Sequence, residues 1–153
     1  MRLIAILILV LIVLLVTIHT LLRHKRTQVA LEAKKAMYKT LEKKSKNGDL
    51  QSLYRFAELY YEEDDEDYYP LIFKWVSLLA AYRKDPAVWL VLGDMLSTGY
   101  GTEKDLKRAL STYEQALSAD ILSGKNSNLS REAHNYLEKQ IILLRRKLNS
   151  SNN

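Results

Sequence analysis

The chain opens on an unbroken apolar run. Residues 3–22 read LIAILILVLIVLLVTIHTLL, with no charged position, and sixteen of the twenty are Leu, Ile or Val. Twenty helical residues span about 30 Å, the hydrocarbon thickness of a bilayer. At about −0.3 to −0.6 kcal/mol per Leu, Ile or Val, such a run favours insertion by about 5 to 10 kcal/mol. Thr17, His19 and Thr20 lie near one end, where an interface tolerates them. The pattern predicts a transmembrane anchor over residues 1–22, in contact with lipid through residues 3–22. A cleaved signal peptide is the competing reading. Its apolar region is usually about 7 to 15 residues long and ends in a small-x-small site, whereas here Leu21 and Leu22 run straight into Arg23, His24, Lys25 and Arg26.

Beyond the anchor the apolar positions take up helical spacing. No Gly or Pro occurs between Arg23 and Lys46, and Asn47-Gly48 closes this segment, so residues 23–48 read as a basic juxtamembrane helix. Leu50, Leu53, Phe56, Ala57 and Tyr60 begin a second pattern, which the acidic run Glu62 to Asp67 interrupts. It resumes after Pro70 with Leu71, Ile72, Trp75, Val76, Leu79 and Tyr82. Asp85-Pro86 is an N-cap followed by a first-turn proline. The helix expected at 86–98 is apolar on nearly all sides, the mark of a helix with neighbours all round. Gly99-Tyr100-Gly101 is a tight turn, and Thr102 with Asp105 three residues on resembles a capping box. Leu106, Ala109, Leu110, Tyr113 and Ala116 form one face of the next helix. Ser123 to Asn128 reads as a loop, and Ala133, Leu137, Ile141, Leu144 and Leu148 as the stripe of a last helix at about 129–147. No segment alternates like a strand. The expected organisation is all-α: an anchor, the basic helix, a helical domain at 49–148, and a frayed Ser/Asn tail at 149–153.

Charge refines this picture. The net charge is +5 and there is no cysteine, which excludes disulfides and thiolate metal sites. Arg23, Lys25, Arg26, Lys34, Lys35 and Lys39 follow the anchor, against Arg2 before it. The positive-inside rule therefore favours a single-pass membrane protein with its C-terminal domain in the cytoplasm, the reverse (periplasmic) topology being the alternative. The basic block is explained at the membrane surface, so nucleic acid is not an expected partner.

Two helix pairs echo each other. Phe56-Ala57-Glu58-Leu59-Tyr60 aligns with Leu92-Gly93-Asp94-Met95-Leu96 at an offset of 36, which also carries Ala80 onto Ala116. A period near 34 to 36 with paired helices marks tetratricopeptide-like repeats. Within the second pair, Leu92, Gly93, Gly99, Gly101, Asp105, Ala109, Tyr113 and Ala116 stand at the spacing of the Sel-one-like repeat, A-x-x-x-L-G-x-x-Y-x-x-G-x-G-V-x-x-D-x-x-K-A-x-x-W-Y-x-K-A-A, which residues 87–117 resemble, with Ala87 one position before the leading alanine of that pattern. Arg108 stands for the Lys; Leu96, Thr102, Thr112, Gln115 and Leu117 depart from the pattern. The earlier repeat keeps Leu59, Tyr60, Ala80 and Ala81 and loses the glycine turn to the acidic run. The resemblance implies a short α-solenoid of antiparallel helix pairs, with repeats at about 50–83 and 86–118 and the helix at 129–147 as a cap. It also implies protein–protein assembly, often at bacterial membranes (the inner membrane if the protein is bacterial), and no catalytic residues.

Candidate chemistry is sparse. His19, His24 and His134 show no metal-ligand spacing, and the acidic run lacks the glycine and spaced bidentate Glu of a calcium loop. There is no nucleophile elbow or phosphate loop, so neither catalysis, cofactor, metal nor small-molecule substrate is expected. Thr98-Gly99-Tyr100-Gly101 echoes a potassium filter, but a filter needs a second span and pore helices. Aromatic residues are enriched at interface hot spots. Tyr61, Tyr68 and Tyr69, flanking Glu62, Glu63, Asp64, Asp65, Glu66 and Asp67, therefore mark the expected partner-binding surface. The expected function is a membrane-tethered adaptor that binds a protein partner. The alternatives are an immunity-type protein or inhibitor acting at the membrane, its acidic loop mimicking a substrate, and a small structural subunit of a membrane complex.

Overall fold

The computed structural model describes the backbone of residues 2–150 and side chains from Val10 onward. The described residues form six α-helices and two short 3-10 turns, with no strand among them, so the chain is all-α. They divide into two compact units, residues 1–44 and 45–153.

The first unit is built on α1 (Arg2–Lys46), which runs without a break through the apolar and basic segments. Its apolar side chains from Val10 to Leu22 stand exposed, Val10 at 60 % and Leu21 at 63 %. Among the described residues no helix is long and apolar enough to cross a membrane. The expected anchor at 3–22 lies partly outside the residues whose side chains are described.

The second unit holds α2 (Leu50–Glu62), α3 (Tyr69–Tyr82), α4 (Pro86–Thr98), α5 (Leu106–Ser123) and α6 (Arg131–Ser150). Each packs on the next, and α2 also reaches α4. Side-chain caps set the starts, because the first backbone N–H groups of a helix have no partner inside it. Asp49 accepts the Ser52 N–H at 3.1 Å, Asp85 accepts those of Ala87 (3.0 Å) and Val88 (3.4 Å), and Asp105 accepts that of Arg108 at 2.9 Å. The expected pairing of Thr102 with Asp105 is thereby corrected: Asp105 is itself the cap of α5, while Thr102 lies in the turn before it. Ser130 accepts the Ala133 N–H at 3.1 Å, so α6 begins slightly later than its apolar stripe suggests, and it continues to Ser150. The stretch expected as a loop at 123–128 is shorter than the pattern implied: α5 runs to Ser123 and a 3-10 turn follows at Gly124–Asn126.

Helix α4 does have neighbours all round, packing on α2, α3 and α5. It packs closely on α5. Gly93 faces the Tyr113 ring so nearly that a Cβ there would sit 2.5 Å from a ring carbon. Gly99 (φ 86°) closes α4, with its own N–H and that of Tyr100 both donated to the Met95 carbonyl. Gly101 (φ 68°) has a second reason to be glycine: a Cβ would lie 2.1 Å from the Tyr69 carbonyl oxygen, so the turn presses on the start of α3. Leu96, Ala109, Tyr113, Ala116, Leu137 and Ile141 form one buried cluster across α4, α5 and α6.

The far end of α5 is tied to α6 by polar groups. The buried Asp120 carboxylate accepts the Ser127 hydroxyl and pairs with His134 Nδ1, and Glu138 lies 3.7 Å from His134 Nε2. The Asp120 hydrogen bond, with Glu138 adding to it, raises the His134 pKa above its ordinary value. Burial pushes the Asp120 carboxyl up, but the bonds from Ser127 and His134 outweigh it and hold the group below the usual carboxylate range. The linkage has opposite signs for the two groups. The stabilisation carried by His134 is full below its unfolded pKa and is lost as pH rises through the raised folded value. That carried by Asp120 is present above its unfolded pKa and is lost as pH falls through the depressed one. The melting temperature is therefore expected to be higher at pH 6 than at pH 8.5. His134→Gln should flatten that slope, and an unaltered slope in thermal melts of this variant would exclude the tie as its source.

Candidate functional site

Helices α2, α4 and α6 leave a groove between them. Two adjoining hollows of about 590 and 630 Å³ share Tyr61, Leu90 and Ala133 as walls. Each wall residue is placed by its helix. Tyr61 lies in the last turn of α2 on the face opposite the buried Leu59, and is 67 % exposed with its ring edge-on to Tyr60 at 4.8 Å. Tyr60 meets Tyr100 edge-on at 4.9 Å, and Tyr100 stacks on Tyr69 at 3.7 Å. Four rings thus run from the groove to the start of α3. Edge-on and offset stacked rings at such spacing are favourable beyond their burial.

The floor carries a carboxylate. Asp94 follows Gly93 on α4 and is only 7 % exposed, yet it lines the groove. Its Oδ1 accepts the Tyr113 hydroxyl at 2.6 Å and the Tyr136 hydroxyl at 2.9 Å, joining α4 to α5 and α6. The Tyr113 oxygen also lies 3.3 Å from the Ser97 hydroxyl. Among the described residues no donor reaches Asp94 Oδ2. Burial raises the Asp94 pKa by more than the two phenols lower it. Burial likewise raises Tyr136, to about 12, and Asp94 nearby adds to that shift.

The electrostatics of the groove run against those of the whole chain. Glu58, Glu62, Asp94 and Glu132 line it, and no Lys, Arg or His does, although the chain as a whole is +5. Arg55, outside the lining, bridges Glu58 at 2.9 Å and Glu62 at 2.6 Å. Asp94 and Glu132 are left without a basic partner among the described residues. At the mouth, the Asp85 carboxylate accepts Tyr54 Oη at 2.7 Å and Asn128 Nδ2 at 2.8 Å. These bonds and its two capping N–H groups outweigh burial and keep its pKa low.

The residues singled out in sequence are distributed unevenly. Tyr61 and Glu62 line the groove. The rest of the acidic run has structural tasks that the bare pattern of like charges hides. Glu63 accepts the Asp65 N–H at 2.9 Å, and Asp65 accepts the Asp67 N–H at 3.2 Å to cap the 3-10 turn Glu66–Tyr68. Carboxylates collect here because the junction of α2 and α3 leaves backbone N–H groups to be satisfied. Asp64, Glu66 and Asp67 are exposed, Tyr68 is half-buried, and Tyr69 is committed to Tyr100. Ala109, Tyr113 and Ala116 are fully buried, and Gly93 and Leu92 lie beside them in α4. Ala87 lines the groove near the start of α4. Asp94 and Tyr136 were missed. Asp94 stands at an unconstrained position of the repeat pattern, and its one sequence signal was a charge inside an otherwise apolar helix.

Comparison with protein-family models, with curated proteins and with solved structures finds no match for this chain.

Proposed function

We propose that this protein is a membrane-tethered helical-repeat adaptor, and that the groove between α2, α4 and α6 receives a segment of a protein partner. The observation that carries the reading is the groove itself: exposed tyrosine faces beside apolar walls, a composition typical of interface hot spots. The repeat reading has geometric support. At an offset of 36, Leu50 falls on Pro86 and Glu62 on Thr98, so α2 and α4 have the same length. Asp49 and Asp85, their caps, keep that offset. The Sel-one-like spacing at 87–117 supports the same view, Gly93 sitting where it lets Tyr113 close on α4. In this reading residues 3–22 cross the membrane, as the apolar run and the exposed side chains from Val10 to Leu22 suggest. Arg23, Lys25 and Arg26 then keep the second unit in the cytoplasm. Asp64, Glu66 and Asp67 extend the negative charge of the groove beyond Glu62 and would steer a basic partner.

A photo-crosslinking residue tests this. Placed at Tyr61 in the full chain and irradiated in native membranes, it is expected to give a discrete adduct. Placed at Ile142, which is 50 % exposed but outside the groove, it should give none. Changing Asp64, Asp65, Glu66 and Asp67 to Ser (serine at 65 can still cap) should lower the adduct yield and its sensitivity to salt. Equal labelling from both positions would remove the groove from consideration.

A further inference from the structure

We infer that the partner segment inserts a lysine side chain whose ammonium pairs with Asp94 at the floor of the groove. This rests on the groove reading above and specifies its ligand. Three observations lead to it. The first is charge: Glu58, Glu62, Asp94 and Glu132 line the two hollows, and although Arg55 bridges Glu58 and Glu62 from outside the lining, Asp94 and Glu132 have no basic partner among the described residues. A cationic segment is therefore complementary, and an anionic one would be repelled.

The second is the state of the Asp94 carboxylate. It is more than nine-tenths buried, and both of its phenolic donors, Tyr113 and Tyr136, converge on Oδ1. Oδ2 receives no donor among the described residues. That oxygen is not sealed off like the buried Tyr100 hydroxyl; it stays open while the rest of the side chain is desolvated, so a donor entering the groove can complete it. The upward pressure of burial on this carboxyl is consistent with a site that lacks its counter-charge.

The third is geometry, which separates lysine from arginine. A guanidinium gains its advantage from two parallel bonds to both carboxylate oxygens. Oδ1 already accepts two phenols, so that fork cannot form. An ammonium is a compact donor on a long apolar stem and needs one oxygen. The stem would lie along Leu90 and Ala133, and the ammonium would pass the rings of Tyr60, Tyr61 and Tyr136 on its way to the floor. Aromatic faces beside a carboxylate add to the attraction for a cation. Tyr61 and Tyr136 are 67 % and 41 % exposed, so both are available to it.

The test uses the full chain in detergent and a library of random dodecapeptides displayed on phage as the probe. Selection is expected to enrich peptides with lysine at one fixed position. Synthetic copies of these should label the photo-crosslinking residue at Tyr61. Acetylating that lysine should weaken binding at least about tenfold, and Asp94→Asn should do the same. The two changes together should cost little more than either alone. The asparagine oxygen can still accept both phenols, so an unchanged thermal melt of Asp94→Asn shows that the loss is not unfolding. Peptides that label Tyr61 but bind Asp94→Asn equally well, or that carry arginine or no cation at the fixed position, would overturn the lysine assignment and leave the groove reading standing. No enrichment, or enriched peptides that fail to label Tyr61, would overturn both.

Discussion

Gly93→Leu is expected to abolish the cooperative thermal transition of the second unit. Gly93 has no room for even one added carbon: its Cβ would meet three atoms of the Tyr113 ring, the nearest at 2.5 Å. The ring cannot swing aside easily. Tyr113 is completely buried, and its hydroxyl is held by Asp94 at 2.6 Å. Forcing extra volume into such a contact costs about 1 to 3 kcal/mol per added group or two, against a total stability of about 5 to 15 kcal/mol for a domain of ordinary size. Gly93→Ala, the smallest intrusion, should lower the melting temperature by about 5 to 20 °C. Leucine adds a branched side chain where alanine already clashes. Circular dichroism melts of the two variants check this, with Gly93→Ala/Tyr113→Leu as the control. Removing the ring should restore part of what alanine loses, because the two residues share one contact. A melt unchanged by Gly93→Leu would mean that α4 and α5 do not pack as described.

Retention in the membrane should be equally clear-cut. The full chain is expected to stay in the pellet after high-salt and carbonate washing. Leu11→Lys combined with Leu14→Lys should release it. Each lysine near the centre of a span costs about 2.5 to 3.5 kcal/mol, so two of them cancel most of the 5 to 10 kcal/mol that the apolar run supplies. The basic segment after residue 22 would still attract anionic headgroups, but salt weakens that attraction and carbonate washing removes it. Wild-type protein in the supernatant would refute the anchor. A shortened form beginning near residue 23 would point to a cleaved signal instead.

The helices themselves were legible because their signals are local. The bounds of α4 follow from Asp85, Pro86 and Gly99: a cap, a residue with fixed φ, and a residue free to take positive φ. Each acts within one turn of the chain, so neighbouring letters suffice. The same holds for Gly48 at the end of α1. The 36-residue offset was visible because the paired helices bury the same register, Leu59 with Met95 and Ala80 with Ala116.

The acidic run shows where local reading fails. Six like charges in a row suggest mutual repulsion and a solvated loop. The chain instead reverses between α2 and α3, and there Glu63 and Asp65 accept backbone N–H groups. Which N–H groups need a partner depends on where the two helices end, and the composition of the run does not contain that information. Tyr69 is hidden from local reading for a similar reason: its ring partner, Tyr100, lies in a turn thirty-one positions away.

The sequence by itself determined that the second unit is a succession of short amphipathic helices, where they start, and that Gly93, Gly99 and Gly101 hold the tightest places. Capping, backbone conformational freedom and hydrophobic period are properties of adjacent residues. Only the tertiary structure decided what those helices enclose. Asp94 lies on α4, Tyr113 on α5, Tyr136 on α6 and Tyr61 on α2, and each looks ordinary in its own helix. They become a groove with a phenol-bonded carboxylate at its floor when the packing of α4 between its neighbours sets their distances, because burial and charge complementarity are properties of the assembled surface and of no single stretch of chain.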